Sequence, residues 1–225
     1  MRRFRPRRRG YVARIGETER TVFAAAAADV AQLLGAERFE DGGAGPAAED
    51  AAAMRFRTSD IEPPDDPAVR RLLPDASRDD PTVAAEFRRL TEDDVRARKV
   101  AGLAAWWRSL AEVDERKPDR VVVRREDARA VAAAMSDVRL VLAERLGIRQ
   151  DDDAERLLAE LAAQPPDEPM VAARLYLLSA YDAMSWLQES LVQLMLEEAR
   201  EATRRAARDG TDGGTVPGEA PPDEG

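Results

Sequence analysis

The chain contains no cysteine, no histidine and no asparagine. Without cysteine it forms no disulfide and carries out no thiol redox chemistry. Without histidine it lacks a usual ligand of zinc sites and the base of a Ser-His-Asp or Cys-His nucleophile. Lysine is scarce as well, since Lys99 and Lys117 stand against thirty-three arginines. The enzyme classes that remain need paired carboxylates or lysine chemistry, so we expect a protein that is not an enzyme and holds no metal or cofactor.

Long uncharged apolar runs are also missing. The longest apolar stretch, residues 170–196, carries Arg174, Asp182 and Glu189, and a membrane span rarely contains three charges. The alanine-rich stretch that follows the basic N-terminus is interrupted by Asp29, which does not fit a signal peptide. We therefore expect a cytoplasmic protein with no membrane association.

The net charge of −9 is distributed unevenly along the chain. Residues 1–14 hold seven arginines and no acid, so they carry +7 and leave −16 on the remainder. An acidic body with a basic arm attracts a polyanion only through the arm. A solvated terminal strand and a nucleic-acid contact remain equally open interpretations. The candidate nucleic-acid-binding residues are Arg2, Arg3, Arg5, Arg7, Arg8 and Arg9.

Hydrophobic periodicity predicts a mainly α fold: a bundle of five or six helices with one long C-terminal helix and a small two- or three-stranded β-sheet near the N-terminus. The sheet would combine a hairpin within residues 1–15 with a strand at residues 121–123. Composition divides the chain into a basic arm with hairpin and first helix (1–35), a flexible linker (36–66), a helical body (67–208) and a disordered acidic tail (209–225).

Start and stop signals set the expected helices. Asp80-Pro81 is typical of an N-cap followed by proline at the first helical position, and residues 91–94 resemble a capping box that opens a further helix. One helix is expected to end at Gly147. After Pro165-Pro166 a helix of about 40 residues, roughly 60 Å long, should follow. This helix is apolar around most of its circumference between residues 170 and 196. We therefore expect it to lie either at the centre of the bundle or at a homodimer interface.

A set of charged residues on two helices is the next candidate site. Arg139 falls on the apolar face of its helix, so we expect a buried ion pair with Asp182 or Glu189 on the long helix. A ligand site at these residues is the less favoured alternative. Asp182 and Glu189 are about 10 Å apart on one face, which makes acid–base catalysis a weak interpretation. The core is expected to contain Trp106, Trp107 and Trp186 and methionines such as Met135 and Met184.

Three segments resemble a known family. They comprise residues 71–76 leading to 86–91, residues 137–142 with 145–148, and residues 181–191, which read YDAMSWLQESL. In these segments the chain resembles the actinobacterial AosR-like oxidative-stress transcriptional regulators, a family long described only as a domain of unknown function. The resemblance implies regulation of transcription in a stress response, together with a sigma factor and a redox switch built on a cysteine pair. Since this chain has no cysteine, it cannot contain such a switch.

The alternative function is a protein–protein interaction module that does not bind DNA and whose partner is a sigma factor or a proteolysis adaptor. No helix-turn-helix signature stands out in the sequence, which counts against sequence-specific DNA reading. The two functions predict different surfaces. A protruding positive helix or ribbon favours DNA, whereas an exposed apolar groove on an acidic body favours a protein partner.

Overall fold

A computed structural model describes residues 1–39, 64–77, 79–150, 152–165 and 168–211, with side chains to residue 208. Within these ranges six helices and three strands confirm the predicted fold class. The elements are, in order, β1 (Arg2–Arg7), β2 (Gly10–Arg14), α1 (Glu17–Leu33), α2 (Pro67–Leu72), α3 (Pro81–Ala111), β3 (Arg120–Val123), α4 (Ala128–Leu146), α5 (Asp153–Ala162) and α6 (Pro169–Thr211).

The three strands form one antiparallel sheet in the order β1-β2-β3, which confirms the predicted hairpin and the third strand. Gly10 follows the hairpin turn with a φ of +139°, and a Cβ there would lie 2.2 Å from the carbonyl oxygen of Val123. Only glycine fits this position, because any side chain would push β2 away from β3. The inner face of the sheet packs on the helices through Phe4, Tyr11, Ala13, Val121 and Val123, all buried.

The third helix begins as predicted and then continues further than predicted. The Asp80 carboxylate accepts the backbone N–H groups of Thr82 and Val83, and Pro81 takes the first helical position. The helix runs without a break through Thr91, whose hydroxyl donates to the carbonyl of Phe87 at 2.8 Å. The separate helix predicted to open at residues 91–94 is therefore wrong. No glycine or proline precedes Thr91 to end the first helix, so the helical hydrogen bonds continue through the capping pattern.

Most of the core lies between α1, α3, α4, α6 and the inner face of the sheet. Trp106, Met135 and Met184 are fully buried there, as their helical spacing predicted. Trp107 is half-buried, and its ring centroid lies 5.7 Å from that of Phe39. Phe39, which the sequence assigned to the linker, is therefore part of the packed body. Residues 40–63 and 212–225, which make up most of the predicted linker and tail, lie outside the described residues.

The long helix α6 has two different parts. Its middle packs against α4 and β1 through buried residues such as Met184, Leu187 and Leu191, so this part is central to its own bundle. From Ala199 to Arg208 every side chain is exposed. None of the described helices is both long enough and apolar enough to cross a membrane.

Candidate nucleic-acid interface

The outer face of the sheet is covered with arginines. Side chains of directly paired residues point to the same face of a sheet, and Val12 alternates with the buried Tyr11 and Ala13, so it faces outward. The arginines that share this outward face lie in register across all three strands. We call this set the arginine face, and its members are Arg2, Arg5, Arg7, Arg14 and Arg120.

Three of these arginines stand directly opposite one another. Arg2 pairs with Arg14, and Arg14 pairs in turn with Arg120. Like charges at directly opposed positions destabilise a sheet. The one carboxylate within ion-pair distance among the described residues is Asp119, 3.4 Å from Arg14. The Nε of Arg120 is buried and has no hydrogen-bond partner in the described part of the chain. The face therefore carries positive charge that the fold itself does not balance.

The remaining predicted arginines extend this surface. Arg8 and Arg9 lie exposed in the turn between β1 and β2. Arg3 lies in the irregular stretch of β1 between Arg2 and Arg5, with its Cζ 5.4 Å from the centre of the Trp186 ring. Like Arg2, Arg5 and Arg7, these three make no ion pair with a described residue.

The basic segment is a fixed strand and not a free arm. Phe4, in the middle of β1, is 3% exposed. Its backbone N–H donates to the hydroxyl of Ser190 on α6 at 3.2 Å. Of residues 1–9, Phe4 is buried and the other eight are exposed, so the strand is attached to the core through this one side chain. Because β1 is bound on one side to β2 and on the other to α6, its arginines are held in place before any ligand arrives.

A second contact ties the hairpin to the end of the packed part of α6. The hydroxyl of Tyr11 donates to the Glu198 carboxylate at 2.6 Å, and Arg125 donates to the same carboxylate. The Arg125 guanidinium also lies 5.2 Å from the centre of the Tyr11 ring and reaches the carbonyl of Arg7 at 3.5 Å. We call Tyr11, Arg125 and Glu198 the junction.

The contacts within the junction change the pKa values of Tyr11 and Glu198. Burial raises the pKa of Tyr11 to about 12, and the hydrogen bond to the negative Glu198 adds to this increase. Burial would raise the pKa of Glu198 too, but the hydrogen bonds from Arg125 and Tyr11 outweigh it and hold that pKa below its usual value. At neutral pH the junction therefore contains a protonated tyrosine and an ionised glutamate.

The ion pair predicted for Arg139 is replaced by a neutral contact. Arg139 Nη1 donates to Oε1 of Gln188 at 2.8 Å, and its Cζ lies 5.3 Å from the centre of the Tyr181 ring. Asp182 and Glu189 are exposed on another face of α6, and neither pairs with Arg139 in the described structure. Arg139 Nε is buried and has no hydrogen-bond partner in the described part of the chain. The residue as a whole is half-buried, which leaves part of the guanidinium in contact with water.

The two carboxylates proposed as weak catalytic candidates are thus separated from Arg139. Glu189 accepts a hydrogen bond from Gln193, one turn further along the same helix. Partial desolvation raises the pKa of Asp182. Among the described residues, no three Asp or Glu side chains gather as a set of metal ligands.

Sequence reasoning missed Arg14 and Arg120 as members of the basic surface. The alternation of β2 places Arg14 on the same face as Val12, so that assignment was available from the pattern. Arg120 joins the face because β3 pairs with β2 in a register that places Arg120 opposite Arg14. The third strand was predicted from the sequence, but its register was not.

Comparison with known proteins identifies a family and no activity. A family model described as a domain of unknown function, DUF2017, matches residues 1–195. No curated protein and no solved structure is significantly similar to the chain. The match covers the arginine face and the body, and it ends before the exposed part of α6.

Proposed function

The chain belongs to this family of unknown function, and we propose that it is a regulator of transcription that binds nucleic acid through its arginine face. The observation that carries the proposal is the row of Arg2, Arg14 and Arg120 across three paired strands. Phosphates placed over this row would relieve the repulsion between the three guanidinium groups. Arginine also suits phosphate because its planar fork donates two parallel hydrogen bonds.

Rigidity supports the same proposal. A free arm must be ordered when it binds, and this costs conformational entropy. Here β1 is already held by β2, by the Phe4 side chain and by Ser190. Two-stranded ribbons and sheets are an established way for proteins to contact nucleic-acid duplexes. Contacts to phosphate alone position a protein without reading sequence, so the arginine face by itself accounts for affinity and not for sequence choice.

The regulatory role rests on the resemblance to AosR-like regulators of the stress response. Within this proposal the protein acts in the cytoplasm, performs no catalysis and uses no cofactor. A sigma factor is the protein partner that the resemblance implies. The signal must be independent of thiols, because the chain has no cysteine.

A protein-only interaction module is the second candidate, and one surface favours it. Val83, Phe87 and Leu90 are about half exposed at 53%, 50% and 54%. They are spaced at i, i+4 and i+7 on the first part of α3, so they share one helix face. Such a stripe fits an apolar helix of another protein.

Homodimerisation stays part of the proposal, although the middle of α6 is covered by its own bundle. Among the described residues, the large apolar side chains that α6 leaves exposed are Met170, Tyr176 and Leu196. These are fewer than the apolar circumference of the helix suggested. Light scattering at high micromolar concentration decides: a dimer mass supports self-association, and a monomer mass rejects it.

Salt-dependent binding tests the nucleic-acid proposal. We define the hairpin variant as the full chain with Arg2→Gln, Arg5→Gln, Arg7→Gln and Arg14→Gln, the four members of the arginine face that lie on β1 and β2. The matched body control removes four exposed arginines that make no ion pair with a described residue: Arg98→Gln, Arg116→Gln, Arg129→Gln and Arg149→Gln. Both variants change the net charge by the same amount.

Labelled duplex DNA is titrated at three salt concentrations with each protein. If about five arginines each neutralise a phosphate, log K falls against log salt with a slope of about −4 to −5. The hairpin variant should lose most of this slope, since four contacts contribute about 0.9 each, and the body control should keep it. Equal binding by the hairpin variant and the wild type would reject the arginine face as the contact surface.

A further inference from the structure

We propose that the exposed end of α6, from Ala199 to Arg208, is a basic helix that enters the major groove of the duplex bound by the arginine face. This inference rests on the proposed function and names the form of nucleic acid. The segment lies beyond the family match, which ends at residue 195. The family match therefore does not cover this end of the helix.

The shape of the segment suits a groove. All ten side chains from Ala199 to Arg208 are exposed, so this part of the helix projects from the body. Ten helical residues extend about 15 Å, and a helix with side chains is about 10–12 Å across. The major groove of B-form DNA is about 12 Å wide and admits one α-helix. An isolated helix this short would be marginal in water, but here it continues a helix that is already packed.

The charge of the segment is positive where the body as a whole is acidic. It holds four arginines, Arg200, Arg204, Arg205 and Arg208, against the single carboxylate of Glu201. Glu201 lies 3.3 Å from Arg205, which leaves Arg200 and Arg204, one turn apart on one face, available for other partners. The sequence predicts attraction for phosphates at the N-terminal arginines alone, and this second group is not among the predicted residues.

Between the arginines the side chains are small. Ala199, Ala202, Thr203 and Ala206 carry at most a methyl and a hydroxyl group beyond Cβ. A helix with small side chains can approach the floor of a groove closely, and alanine and threonine methyl groups contact the thymine methyl there. Arginines on the same helix reach the phosphates at the groove edges or the O6 and N7 atoms of guanine.

The junction fixes where this helix leaves the body. Glu198, the residue directly before the exposed segment, is bound by Tyr11 of β2 and by Arg125. Arg125 also reaches the carbonyl of Arg7, at the end of β1 next to the hairpin turn. The projecting helix therefore starts at the end of the sheet that carries the hairpin turn, and the proposal places one duplex across this end. An isolated solvated helix end would have no such connection to a second basic surface.

The alternative is that the helix attracts phosphates without entering a groove. Comparing binding to B-form DNA with binding to A-form RNA distinguishes these two cases. The major groove of A-form RNA is deep and narrow and does not admit a helix, while its phosphates attract arginine as those of DNA do. A helix that enters the groove contributes to binding of B-form DNA and not to binding of A-form RNA. A helix that only attracts phosphates contributes to both.

The experiment uses the full chain with Arg200→Gln and Arg204→Gln, which we call the helix-end variant. Its matched control carries Arg98→Gln and Arg129→Gln. Fluorescence anisotropy measures the affinity for a B-form DNA duplex and an A-form RNA duplex of equal length. We expect the helix-end variant to bind DNA about tenfold to sixtyfold more weakly near 0.1 M salt, with a salt slope about 2 smaller, and to bind RNA unchanged. A second variant, Ala202→Glu, keeps the arginines and should also weaken DNA binding, whereas Ala133→Glu on the exposed surface of α4 should not.

Three results would overturn the inference or its premise. If the helix-end variant binds DNA as its control does, the helix makes no contact. Equal weakening on DNA and RNA would show phosphate attraction without groove entry. In both cases loss of binding by the hairpin variant still supports the arginine face. A hairpin variant that binds as tightly as the wild type would instead reject the proposed function itself.

Discussion

The hydroxyl of Tyr11 and the carboxylate of Glu198 lie 2.6 Å apart, joining residues separated by 187 positions in the chain. This bond connects the second strand of the hairpin to α6 at the point where the helix becomes exposed. Tyr11 is 4% exposed, so the contact lies at the edge of the core. It holds the two basic elements of the molecule in one fixed arrangement.

Tyr11→Phe should lower the free energy of unfolding by about 1–3 kcal/mol, because it removes a hydrogen bond to a charged group and keeps the ring. Urea unfolding followed by circular dichroism measures the change. Tyr176→Phe is the matched control, since Tyr176 is 52% exposed, and it should change stability by no more than about 0.5 kcal/mol. Equal effects of the two substitutions would show that the junction contributes nothing to stability.

The junction also predicts that folding stability falls at low pH because of Glu198 and at high pH because of Tyr11. In the folded protein the pKa of Glu198 is held below its usual value. Its contribution to the free energy of unfolding is therefore complete above the unfolded pKa of about 4.3 and is lost as the pH falls through the folded pKa. The folded pKa of Tyr11 is raised from 10.0 to about 12. Its contribution is therefore complete below pH 10.0 and is lost as the pH rises toward 12. The difference in stability between wild type and Glu198→Gln, measured from pH 3 to 7, should shrink on the acid side. A constant difference over this range would contradict the assignment.

The buried pair of Lys99 and Asp137 gives a third prediction. Lys99 Nζ donates to Asp137 Oδ1 at 2.5 Å, and Asp137 is 4% exposed. Burial raises the pKa of Asp137 despite the opposing effect of Lys99. Lys99→Met should destabilise the protein by about 3–5 kcal/mol because it leaves a buried carboxylate without its partner. The double variant Lys99→Met with Asp137→Leu should recover most of that loss. Additive losses in the double variant would contradict the account.

Phe4 links the basic strand to overall stability. Phe4→Ala should lower the free energy of unfolding by about 3–5 kcal/mol, because it opens a cavity where the side chain is 3% exposed. Removal of residues 1–9 should lower the melting temperature for the same reason. Arg8→Ala, at an exposed turn position, should change stability by no more than about 0.5 kcal/mol. If the truncated protein has the same melting temperature as the full chain, the strand is not part of the core.

Much of the fold was predictable from local pattern. The alternation in β2, the proline after Asp80, the glycine that ends α4 and the double proline before α6 each act within a few residues. Their structural consequences therefore appear in the sequence itself. The helix boundary predicted at Thr91 is absent, because a capping pattern alone does not end a helix that has no glycine or proline there.

Long-range pairings were less predictable. Arg139 was correctly placed on the face of α4 that meets α6, yet its partner is Gln188 and not Asp182 or Glu189. The rotation of one helix against another decides which residue is opposite, and a single sequence does not report it. The arginine face depends in the same way on the register in which β3 pairs with β2, and the position of the helix end depends on the contact between Tyr11 and Glu198.

Recovery of the full chain from its native host after crosslinking tests the central claim most directly, when the purified material is scored for both nucleic acid and protein. The wild type, the hairpin variant and the body control are expressed at equal levels and compared. We predict that DNA fragments co-purify with the wild type and the body control and are lost with the hairpin variant. Recovery of a protein partner with all three, and of DNA with none, would contradict the account and identify the molecule as a protein-only interaction module.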